Sequence, residues 1–419
     1  MIRVAIIGAG AAGCFCAVQL KRKLPHSEVS VYESGSKPLA KVAVTGGGRC
    51  NLTNTFQDVK SLAEVYPRGD RLMQRAFHVF DNRRLMSWFE GEGVRLTVQP
   101  DQCVFPQSQD AMQIVRTLQH GMEQAGVKLY LKHRVSRIEK TAVPAGATTE
   151  GYRITFADAA LRPAFADVVV VTTGGSPKPS GLEFLQSLQL KTEPPVPSLF
   201  SFNIAGTSPL MGIVADPVTV SLAGTRFRAQ GALLFTHWGM SGPAILKLSS
   251  RAARHLAEAG YCAKLVVNWL NDATEADVRN SLILMQQQQP AKQIGNTHLP
   301  QLSSRLWQAL LVRAGLRDAQ KWSEVGVKQL NRLVAVLSAD TYAVEGQSRH
   351  KEEFVTCGGV SLSNLNLNTL EAKTSPGLYL AGEVLDVDAV TGGFNLQAAW
   401  SMAYVVADSI VSRYGAGAD

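Results

Sequence analysis

The glycine pattern near the start of the chain constrains the fold more than any other feature. Residues 4–13 read VAIIGAGAAG, so Gly8, Gly10 and Gly13 stand at the G-x-G-x-x-G spacing directly after a β-branched run. Such glycines permit a tight turn, a close approach of backbone to a pyrophosphate and close packing of the next helix on the sheet. The pattern therefore predicts a strand–turn–helix unit that binds a dinucleotide.

The residues after these glycines supply the context that the pattern requires. Ala11 and Ala12 open a predicted helix that ends before Pro25, and its N-terminus offers free N–H groups to phosphates. Glu33 follows Gly13 by 20 residues and closes a second predicted strand. A carboxylate at this position binds the hydroxyl groups of a ribose. The glycine pattern alone does not separate NAD from FAD.

Length and charge limit the classes of protein to which the chain can belong. At 419 residues it is longer than a single hydrophobic core usually allows, so we expect two or three domains. Lys and Arg number 42 and Asp and Glu 34, which gives a net charge of +8. The positive residues form no basic stripe or recognition motif, so we expect no nucleic-acid partner. The charge instead suits attraction of anionic cofactors or small-molecule substrates.

Cysteine usage and hydropathy predict the compartment. The six cysteines form no C-x-x-C pair and no metal-ligand spacing, so we expect no metal site and a reducing environment. No segment offers the roughly 20 apolar residues of a membrane-spanning helix. We therefore expect a cytoplasmic enzyme that is not inserted in a membrane.

Strand and helix patterns alternate through the first 185 residues and predict an α/β domain with a parallel sheet. The predicted strands are 4–7, 29–32, 127–131, 152–156 and 168–172, with a hairpin or loop at 141–151.

The pattern changes after the proline-rich residues 194–197. Short β segments separated by turns follow, then a helical region from 275 to 337, then β signals after Ser348, and a last helix from about Leu396. An interrupted first domain explains this order best. The expected division is a discontinuous dinucleotide-binding domain (1–190 and 345–419), an inserted β-rich substrate domain (191–270) and a helical subdomain (271–344). The expected β segments of the insert are 200–204, 218–222, 225–228 and 232–235.

Four glycine-rich segments, distant in sequence, have the character of one cofactor site. The first is the G-x-G-x-x-G fingerprint, the second is 45–51, the third is 172–175, and the fourth, C-terminal one combines 377–383 with 391–397. Consecutive glycines expose backbone N–H groups, and strand-to-glycine junctions let backbone touch a ligand. The C-terminal segment delivers a carboxylate suited to ribityl hydroxyls and opens a helix whose dipole stabilises negative charge. NAD has no ribityl chain, so the four segments together favour FAD. Besides the fingerprint, the candidate cofactor-binding residues in them are Gly47, Gly48, Arg49, Cys50, Asn51, Thr173, Gly174, Gly382, Glu383, Gly393, Phe394, Asn395, Leu396 and Gln397.

Three runs in the chain resemble the signatures of one flavoprotein family. They are GGGRCNLTN (46–54), LFTHWGMSGPAIL (234–246) and AGEVLDVDAVTGGFNLQAA (381–399), and the similarity spans nearly the whole chain. The family is that of the aminoacetone-oxidase-like or BaiN-like (bile-acid ene-reductase-like) FAD-binding oxidoreductases.

This resemblance implies a Rossmann-type FAD-binding domain built from both ends of the chain, with an inserted β-barrel and helical domain. It implies that Val135 offers its backbone to the adenine. It also implies either reduction of conjugated C=C bonds in steroid-like enones or oxidation of small amines. The chain departs from the family pattern in three places: it keeps only Lys41 of a Gly-Arg-Lys run, it has Cys357 where Ala is common, and it has Phe394 where Tyr is frequent.

Two residues are candidates for catalysis. His237 lies in the inserted region, and the ordinary pKa range of a histidine suits proton transfer. The alternative for His237 is a structural histidine at a domain junction. Arg49 adds a fixed cation suited to a phosphate or a carboxylate. A redox or nucleophilic role for the Cys50 thiol lacks a paired cysteine or an activating base.

Three functions remain open from the sequence. The leading hypothesis is an FAD-dependent ene-reductase that transfers hydride from flavin N5 to an activated, enone-type C=C bond of a steroid or bile-acid-like substrate. The alternative is an FAD-dependent amine or amino-acid oxidase that releases peroxide. The third is a non-catalytic FAD-binding module in RNA modification. Because no second G-x-G-x-x-G occurs, NAD(P)H is expected only as a transient electron donor. The substrate, the electron donor and the oligomeric state stay open.

Overall fold

The chain divides into two compact units. The computed structural model describes residues 1–142, 150–176, 178–347 and 355–415. Unit 1 comprises Met1–Pro197 and Val355–Asp419, and unit 2 comprises Ser198–Phe354. Unit 1 is therefore discontinuous in sequence, and unit 2 is a single continuous segment.

The strands of the described residues are, in chain order, β1 (Arg3–Ile7), β2 (Glu28–Tyr32), β3 (Thr53–Asn54), β4 (Leu96–Val98), β5 (Cys103–Pro106), β6 (Lys128–Tyr130), β7 (Val135–Ala142), β8 (Glu150–Phe156), β9 (Ala164–Ala166), β10 (Val168–Val171), β11 (Thr192–Ser198), β12 (Phe202–Asn203), β13 (Val214–Leu222), β14 (Arg228–Phe235), β15 (Gly239–Ser241), β16 (Ala263–Asn268), β17 (Asp340–Val344), β18 (Gly346–Gln347), β19 (Val355–Val360) and β20 (Leu378–Leu380).

The α-helices are α1 (Ala11–Lys23), α2 (Ala40–Gly48), α3 (Leu62–Val65), α4 (Asp70–Val79), α5 (Asn82–Gly91), α6 (Ala111–Ala125), α7 (Pro243–Arg251), α8 (Ala253–Glu258), α9 (Glu275–Gln288), α10 (Ser304–Arg313), α11 (Val327–Ala339) and α12 (Phe394–Tyr414).

Five parallel strands form the main sheet of unit 1, in the order β20-β10-β1-β2-β6. In the central strand, Ile6 lies opposite Val31 on one side and Val170 on the other, and all three side chains are fully buried. Such aliphatic, two-sided burial is what a parallel sheet covered by helices requires. The strand order reverses at β1, and ligands bind at the carboxyl ends of strands at such a reversal. The α/β fold and its Rossmann-type sheet are confirmed.

Helix α1 is buried from Ala12 to Leu20 and packs against α6 and α12. Its sequence carries no charged residue until Lys21, which is why both sides of the helix can be buried. Gly121 of α6 makes this packing close, since a Cβ atom there would lie 3.3 Å from a methyl group of Val18. The first and last helices of the chain thus share one core with the sheet.

Three smaller sheets complete unit 1: β3-β5-β4, β7-β8-β9 and β11-β19. The predicted strand at 152–156 exists as β8, but it pairs antiparallel with β7 and β9 instead of joining the parallel sheet. In the expected hairpin or loop at 141–151, residues 143–149 lie outside the described residues.

Unit 2 contains a seven-stranded antiparallel sheet in the order β17-β16-β13-β14-β15-β12-β18. Its first and last strands are separated only by Glu345, whose N–H donates to the Asn203 carbonyl oxygen at 3.0 Å. One continuous segment therefore forms both edges and closes the sheet. The expected strand at 225–228 is wrong: residues 225–227 lie in the turn of the β13–β14 hairpin, where Gly224 has a φ of 71° and Thr225 bonds the Leu222 carbonyl oxygen, and only Arg228 belongs to a strand, as the first residue of β14.

The helices of unit 2 share a core with this sheet, built around three buried tryptophans. Each indole N–H donates a hydrogen bond: Trp269 to Asp340, Trp307 to a backbone carbonyl and Trp322 to a threonine hydroxyl. Their burial therefore leaves no indole N–H unpaired. No helix in the described part of the chain combines the length and apolar character needed to cross a membrane.

Candidate functional site

The three glycines of the G-x-G-x-x-G fingerprint are needed at their positions for different structural reasons. Gly8 has a φ of 103°, and a Cβ atom there would lie 2.6 Å from the Thr172 carbonyl oxygen. A Cβ atom on Gly13 would lie 2.0 Å from the Gly8 carbonyl oxygen. Gly10 has an ordinary φ of −83°, and a Cβ atom there would meet nothing within 4 Å. Packing within the chain explains Gly8 and Gly13, whereas Gly10 leaves open space at the start of α1 for a ligand.

Glu33 is held against the fingerprint turn. One of its carboxylate oxygens accepts a hydrogen bond from the Ala9 N–H at 2.8 Å, and the other accepts from the Gly35 N–H at 2.7 Å. Ala11 and Ala12 form the first turn of α1, as predicted, and this helix has no side-chain cap among the described residues. Its first N–H groups therefore stay available to an anion.

A cavity of about 350 Å³ lies beside this turn. Four candidate cofactor-binding residues from four separate segments line it: Gly8, Glu33, Val135 and Thr173. The wall also includes Tyr32, His133, Arg134, Ser180 and Phe184. The cavity brings the end of β1, the end of β2, the start of β7 and the end of β10 around one space, and its volume falls in the range of small-molecule sites.

The second glycine segment forms the end of α2, where the φ and ψ angles of Thr45, Gly46 and Gly47 are no longer helical. Gly46, Gly47 and Gly48 all have positive φ angles, between 58° and 82°, a conformation that other residues adopt only with strain. Cβ atoms on Gly47 or Gly48 would meet nothing within 4 Å, so this backbone also borders open space. Cys50 is buried beneath it. Burial raises the pKa of its thiol to about 12, although a hydrogen bond with Thr45 acts in the opposite direction. Such a thiol is protonated at neutral pH and has little nucleophilic character.

Arg49 is exposed, yet its guanidinium is held in place. The group lies over the Phe105 ring at 4.6 Å, and its Nε donates to the Gly46 carbonyl oxygen at 3.2 Å. A cation–π contact and a backbone hydrogen bond reduce the freedom of a long side chain. Arg49 therefore presents a positioned positive charge at the second glycine segment.

Glu383 connects the third and fourth segments. Its carboxylate accepts hydrogen bonds from the Thr356 N–H at 2.8 Å and from Lys41 Nζ at 2.9 Å. A Cβ atom on Gly175 would lie 2.8 Å from the carboxyl carbon, and one on Gly382 would lie 3.2 Å from the Ala12 side chain. The structure thus brings Glu383, the 173–175 turn and the start of α1 close together. Sequence reasoning missed Thr356, which contributes only its backbone.

The start of α12 is fixed by the residues after Arg49. With both groups of its amide satisfied, Asn51 donates to the Thr53 carbonyl oxygen at 3.0 Å and accepts from the Gly393 N–H at 3.2 Å. The Asn54 amide donates to the Gly392 carbonyl oxygen at 3.1 Å. A Cβ atom on Gly393 would lie 2.4 Å from the Thr53 carbonyl oxygen, so only glycine fits there.

Several predicted residues at the start of α12 stabilise the protein itself. The Asn395 amide bonds both the N–H and the carbonyl oxygen of Ala389. The Phe394 carbonyl oxygen accepts from the Tyr66 hydroxyl at 2.9 Å. Leu396 is half-buried in the first turn of the helix.

Gln397 belongs to a buried hydrogen-bond chain. Its amide accepts from Thr53 Oγ1 at 2.5 Å and donates to Ser401 Oγ at 2.8 Å, and Ser401 donates to the Phe80 carbonyl oxygen at 2.7 Å. The Gln397 side chain therefore points into unit 1. Sequence reasoning missed Thr53 and Ser401, because the residues around a hydroxyl group in the sequence do not indicate its distant hydrogen-bond partner.

His237 lies in unit 2, in the tight turn between β14 and β15. Its ring is exposed and contacts the Trp238 ring edge-on, with centroids 4.2 Å apart. The Thr236 N–H donates to the Gly239 carbonyl oxygen at 2.8 Å and closes the turn. Among the described residues, no group of three or more His, Cys, Asp or Glu side chains could hold a metal ion.

Comparison with known proteins identifies the family of the chain. The family model of the HI0933-like protein Rossmann domain matches residues 2–409. A ribosomal RNA dihydrouridine synthase from Escherichia coli is 28% identical over 423 residues, covering 97% of either chain. A 3-dehydro-bile acid delta(4,6)-reductase from Clostridium scindens is 26% identical over 436 residues, covering 99% of this chain and 100% of the relative.

Among solved structures, the FrdA chain of E. coli quinol fumarate reductase aligns with 100% of this chain and 71% of its own length, at a TM-score of 0.50 and 15% identity. At that identity the likeness shows the fold alone.

Proposed function

The chain belongs to the HI0933-like Rossmann family of FAD-dependent oxidoreductases, and from that premise we propose that it reduces a C=C bond conjugated to a carbonyl group. One observation carries the proposal. The two relatives described above, each aligned over at least 97% of this chain, are named for the reduction of a C=C bond conjugated to a carbonyl group. Dihydrouridine is uridine whose ring double bond, conjugated to a carbonyl group, has been saturated. A 3-dehydro-bile acid delta(4,6)-reductase saturates double bonds conjugated to a ketone.

The residues described above fit the FAD that the family implies. The open space at Gly10 leaves room for a pyrophosphate at the N-terminus of α1, and the Glu33 carboxylate lies beside it. The cavity of about 350 Å³ next to this turn takes a group smaller than the whole cofactor, such as the adenosine portion. The exposed glycine backbone at 46–48 and the Lys41–Glu383 pair are assigned to the rest of the molecule.

When bound, FAD would supply hydride transfer at its ring nitrogen N5. The N-terminus of α12 places a positive dipole end at the C-terminal glycine segment, where it would stabilise negative charge on a bound, reduced flavin. Asn51 and Asn54 fix that helix start through Gly393 and Gly392, so the charge is positioned before any reaction occurs. Arg49 and His237 are proposed to act on the substrate, Arg49 by polarising its carbonyl and His237 by donating a proton.

The proposed reaction conserves atoms and electrons. The substrate double bond gains a hydride on one carbon and a proton on the other, and the two-electron reduced cofactor is oxidised. A nicotinamide donor, NAD(P)H, is proposed to restore the reduced form by transient binding.

An anaerobic experiment tests the reaction class. The purified holoprotein is reduced stoichiometrically with dithionite, mixed with cyclohexenone, a 3-oxo-Δ4 steroid or a uridine-containing RNA, and followed by flavin absorbance. Reoxidation by at least one of these compounds, with the saturated product found by mass spectrometry, is expected. Failure of all three contradicts the proposal. Stoichiometric peroxide release on aerobic addition of amines, without enone reduction, would instead establish the amine oxidase.

A further inference from the structure

His133 is a polar residue of unit 1 that takes no part in the proposed reaction. It lies between β6 and β7, and its half-buried side chain belongs to the wall of the cavity of about 350 Å³. Its backbone N–H donates to the Glu33 carbonyl oxygen at 2.8 Å. His133 is therefore tied to the residue that is expected to bind the ribose.

The hydrogen-bond partner of one ring nitrogen fixes the tautomer of His133. Nδ1 lies 2.7 Å from the Leu131 carbonyl oxygen. A carbonyl oxygen can only accept, so Nδ1 carries the hydrogen and donates it. In the neutral ring Nε2 is then unprotonated and can only accept. Among the residues that the structure describes, Nε2 has no hydrogen-bond partner, so the ring offers an unused acceptor.

Aromatic neighbours hold this ring in place. The Phe156 ring meets it nearly perpendicularly, with centroids 5.1 Å apart, and the Tyr130 and Tyr32 rings lie at 5.4 Å and 6.1 Å. These contacts and the hydrogen bond at Nδ1 restrict the side chain before any ligand arrives. Binding at Nε2 therefore costs little conformational entropy.

The cavity wall has two carboxylates that could also accept hydrogen bonds from a nucleoside, Glu33 and Glu183. The Glu33 oxygens accept from the N–H groups of Ala9 and Gly35, and this carboxylate is assigned to the ribose. Glu183 is exposed. His133 is thus the acceptor on this wall whose ring is both positioned and unassigned.

An acceptor at this place discriminates between purines. Adenine carries a 6-amino group, which donates, whereas guanine and hypoxanthine carry a 6-oxo group, which accepts. A fixed acceptor stabilises the amino group, and it leaves two acceptors facing each other when the base has an oxygen there.

We propose that Nε2 of His133 accepts a hydrogen bond from the 6-amino group of the adenine of FAD and so selects adenine over 6-oxopurines. The inference rests on the proposed placement of the adenosine portion in this cavity. It is independent of which bond the flavin reduces. A positioned side chain is thereby added to the backbone contact that is expected from Val135.

The test compares FAD with its analogue in which hypoxanthine replaces adenine. Both are titrated by flavin fluorescence into the 419-residue chain freed of FAD, at pH 8, where a histidine is ordinarily neutral. Wild type is expected to bind FAD about tenfold more tightly than the analogue. In His133→Phe, which keeps an aromatic ring among its neighbours, FAD should bind about tenfold more weakly and the two affinities should agree within about twofold.

Two further variants separate the acceptor from the packing of the ring. The amide oxygen of His133→Gln can accept a hydrogen bond, so this variant should recover a preference for FAD of at least about threefold. Glu183→Gln alters the other unassigned acceptor on the wall and is expected to keep the wild-type preference. Thermal unfolding of each variant verifies its folding.

An FAD analogue that lacks the 2′-hydroxyl group of the adenosine ribose distinguishes the base from the sugar. Because Nε2 is assigned to the base, His133→Phe should weaken binding of this analogue by the same factor as binding of FAD. No effect of the substitution on the deoxyribose analogue would instead assign Nε2 to the ribose and overturn the inference.

The remaining outcomes also decide between the two proposals. Equal binding of FAD and the hypoxanthine analogue by wild type overturns the inference, and so does a preference that persists in His133→Phe or is lost in Glu183→Gln. Either result leaves the proposed reductase function intact if an enone reoxidises the reduced flavin. A preference for FAD that depends on His133, without reoxidation by any enone, supports the inference and contradicts the reductase function.

Discussion

The backbone at Gly13 lies so close to the Gly8 carbonyl oxygen that a Cβ atom on Gly13 would be 2.0 Å from it, whereas a Cβ atom on Gly10 would meet open space. Packing within the chain therefore requires glycine at position 13, whereas the space at Gly10 is proposed to hold a ligand. This difference is measurable in the protein without cofactor.

We expect Gly13→Ala to destabilise the apoprotein by about 1–3 kcal/mol, because an added methyl group must displace backbone. Gly10→Ala should unfold like wild-type apoprotein but bind FAD at least about tenfold more weakly, since its methyl group occupies space meant for the pyrophosphate. Thermal unfolding without FAD and a flavin fluorescence titration measure the two effects. Wild-type FAD affinity in Gly10→Ala would contradict the assignment of that space.

Breaking the buried Arg68–Asp388 ion pair should strongly lower the free energy of unfolding. The Asp388 side chain is completely buried, and that of Arg68 is 13% exposed. Asp388→Ala leaves a buried guanidinium without this partner, and we expect a loss of about 3–5 kcal/mol in the free energy of unfolding by urea. Arg116→Ala, which breaks a surface pair and keeps the Asp110 cap of α6, is the control and should change stability little. Equal effects of the two substitutions would refute this assignment.

The Arg3–Asp167 pair predicts a dependence of stability on pH. Burial alone would raise the pKa of Asp167, but the hydrogen bonds and charge of Arg3 outweigh it and hold the pKa below its usual value. A carboxylate with a lowered pKa in the folded state stabilises at pH values above its unfolded pKa, and this stability is lost as the pH falls through the folded pKa. The difference in unfolding free energy between wild type and Asp167→Asn should therefore be largest near neutral pH and shrink towards about pH 3. A difference that does not vary with pH would show that the charge contributes nothing.

In the native protein, only the thiol of Cys262 in unit 2 should react quickly with an added thiol reagent. Burial raises the pKa of Cys16 and Cys50 to about 12 and that of Cys103 to about 11. Cys262 is exposed, and the other five cysteines are buried. We expect one fast-reacting thiol per native chain with Ellman's reagent, and none in Cys262→Ser. A fast reaction that persists in this variant would indicate that unit 1 opens.

The two catalytic candidates can be tested in the same assay. His237→Gln should lower the rate of enone reduction by about 10²- to 10⁴-fold with unchanged flavin content, as expected for loss of a proton donor. Arg49→Gln should mainly raise KM, because it removes a positioned cation. His78→Gln, an exposed histidine of α4, is the control. A wild-type rate in His237→Gln would assign that residue a structural role.

Local patterns predicted the parts of the fold that depend on neighbours in sequence. The glycine spacing, the β-branched run at 168–171 and the apolar first helix each predict an element that the structure contains. Pairings over long distances were not predictable. The sequence of the strand at 152–156 resembles the sequences of the strands in the parallel sheet. Its antiparallel pairing with β7 and β9, seen only in the structure, shows that it belongs to another sheet. Residues 225–227 do not form the expected strand because the β13–β14 hairpin reverses there.

The candidate site shows the same limit. Glu33 and Glu383 are recognisable from the strands that precede them. Thr356 contributes only its backbone N–H, which donates to Glu383, and Thr53 contributes a buried hydroxyl, which donates to Gln397, so their sequence context does not identify them.

The hydrogen bond between Thr53 and Gln397 joins residues 344 positions apart, and it has a consequence for protein synthesis. The fingerprint strand is synthesised long before α12, so the residues proposed to hold the nucleotide are not all present until α12 has been made. Unit 2 is one uninterrupted segment with its own core, and it can fold while the remainder of unit 1 is still being made. We therefore expect the flavin to bind only after α12 has been synthesised.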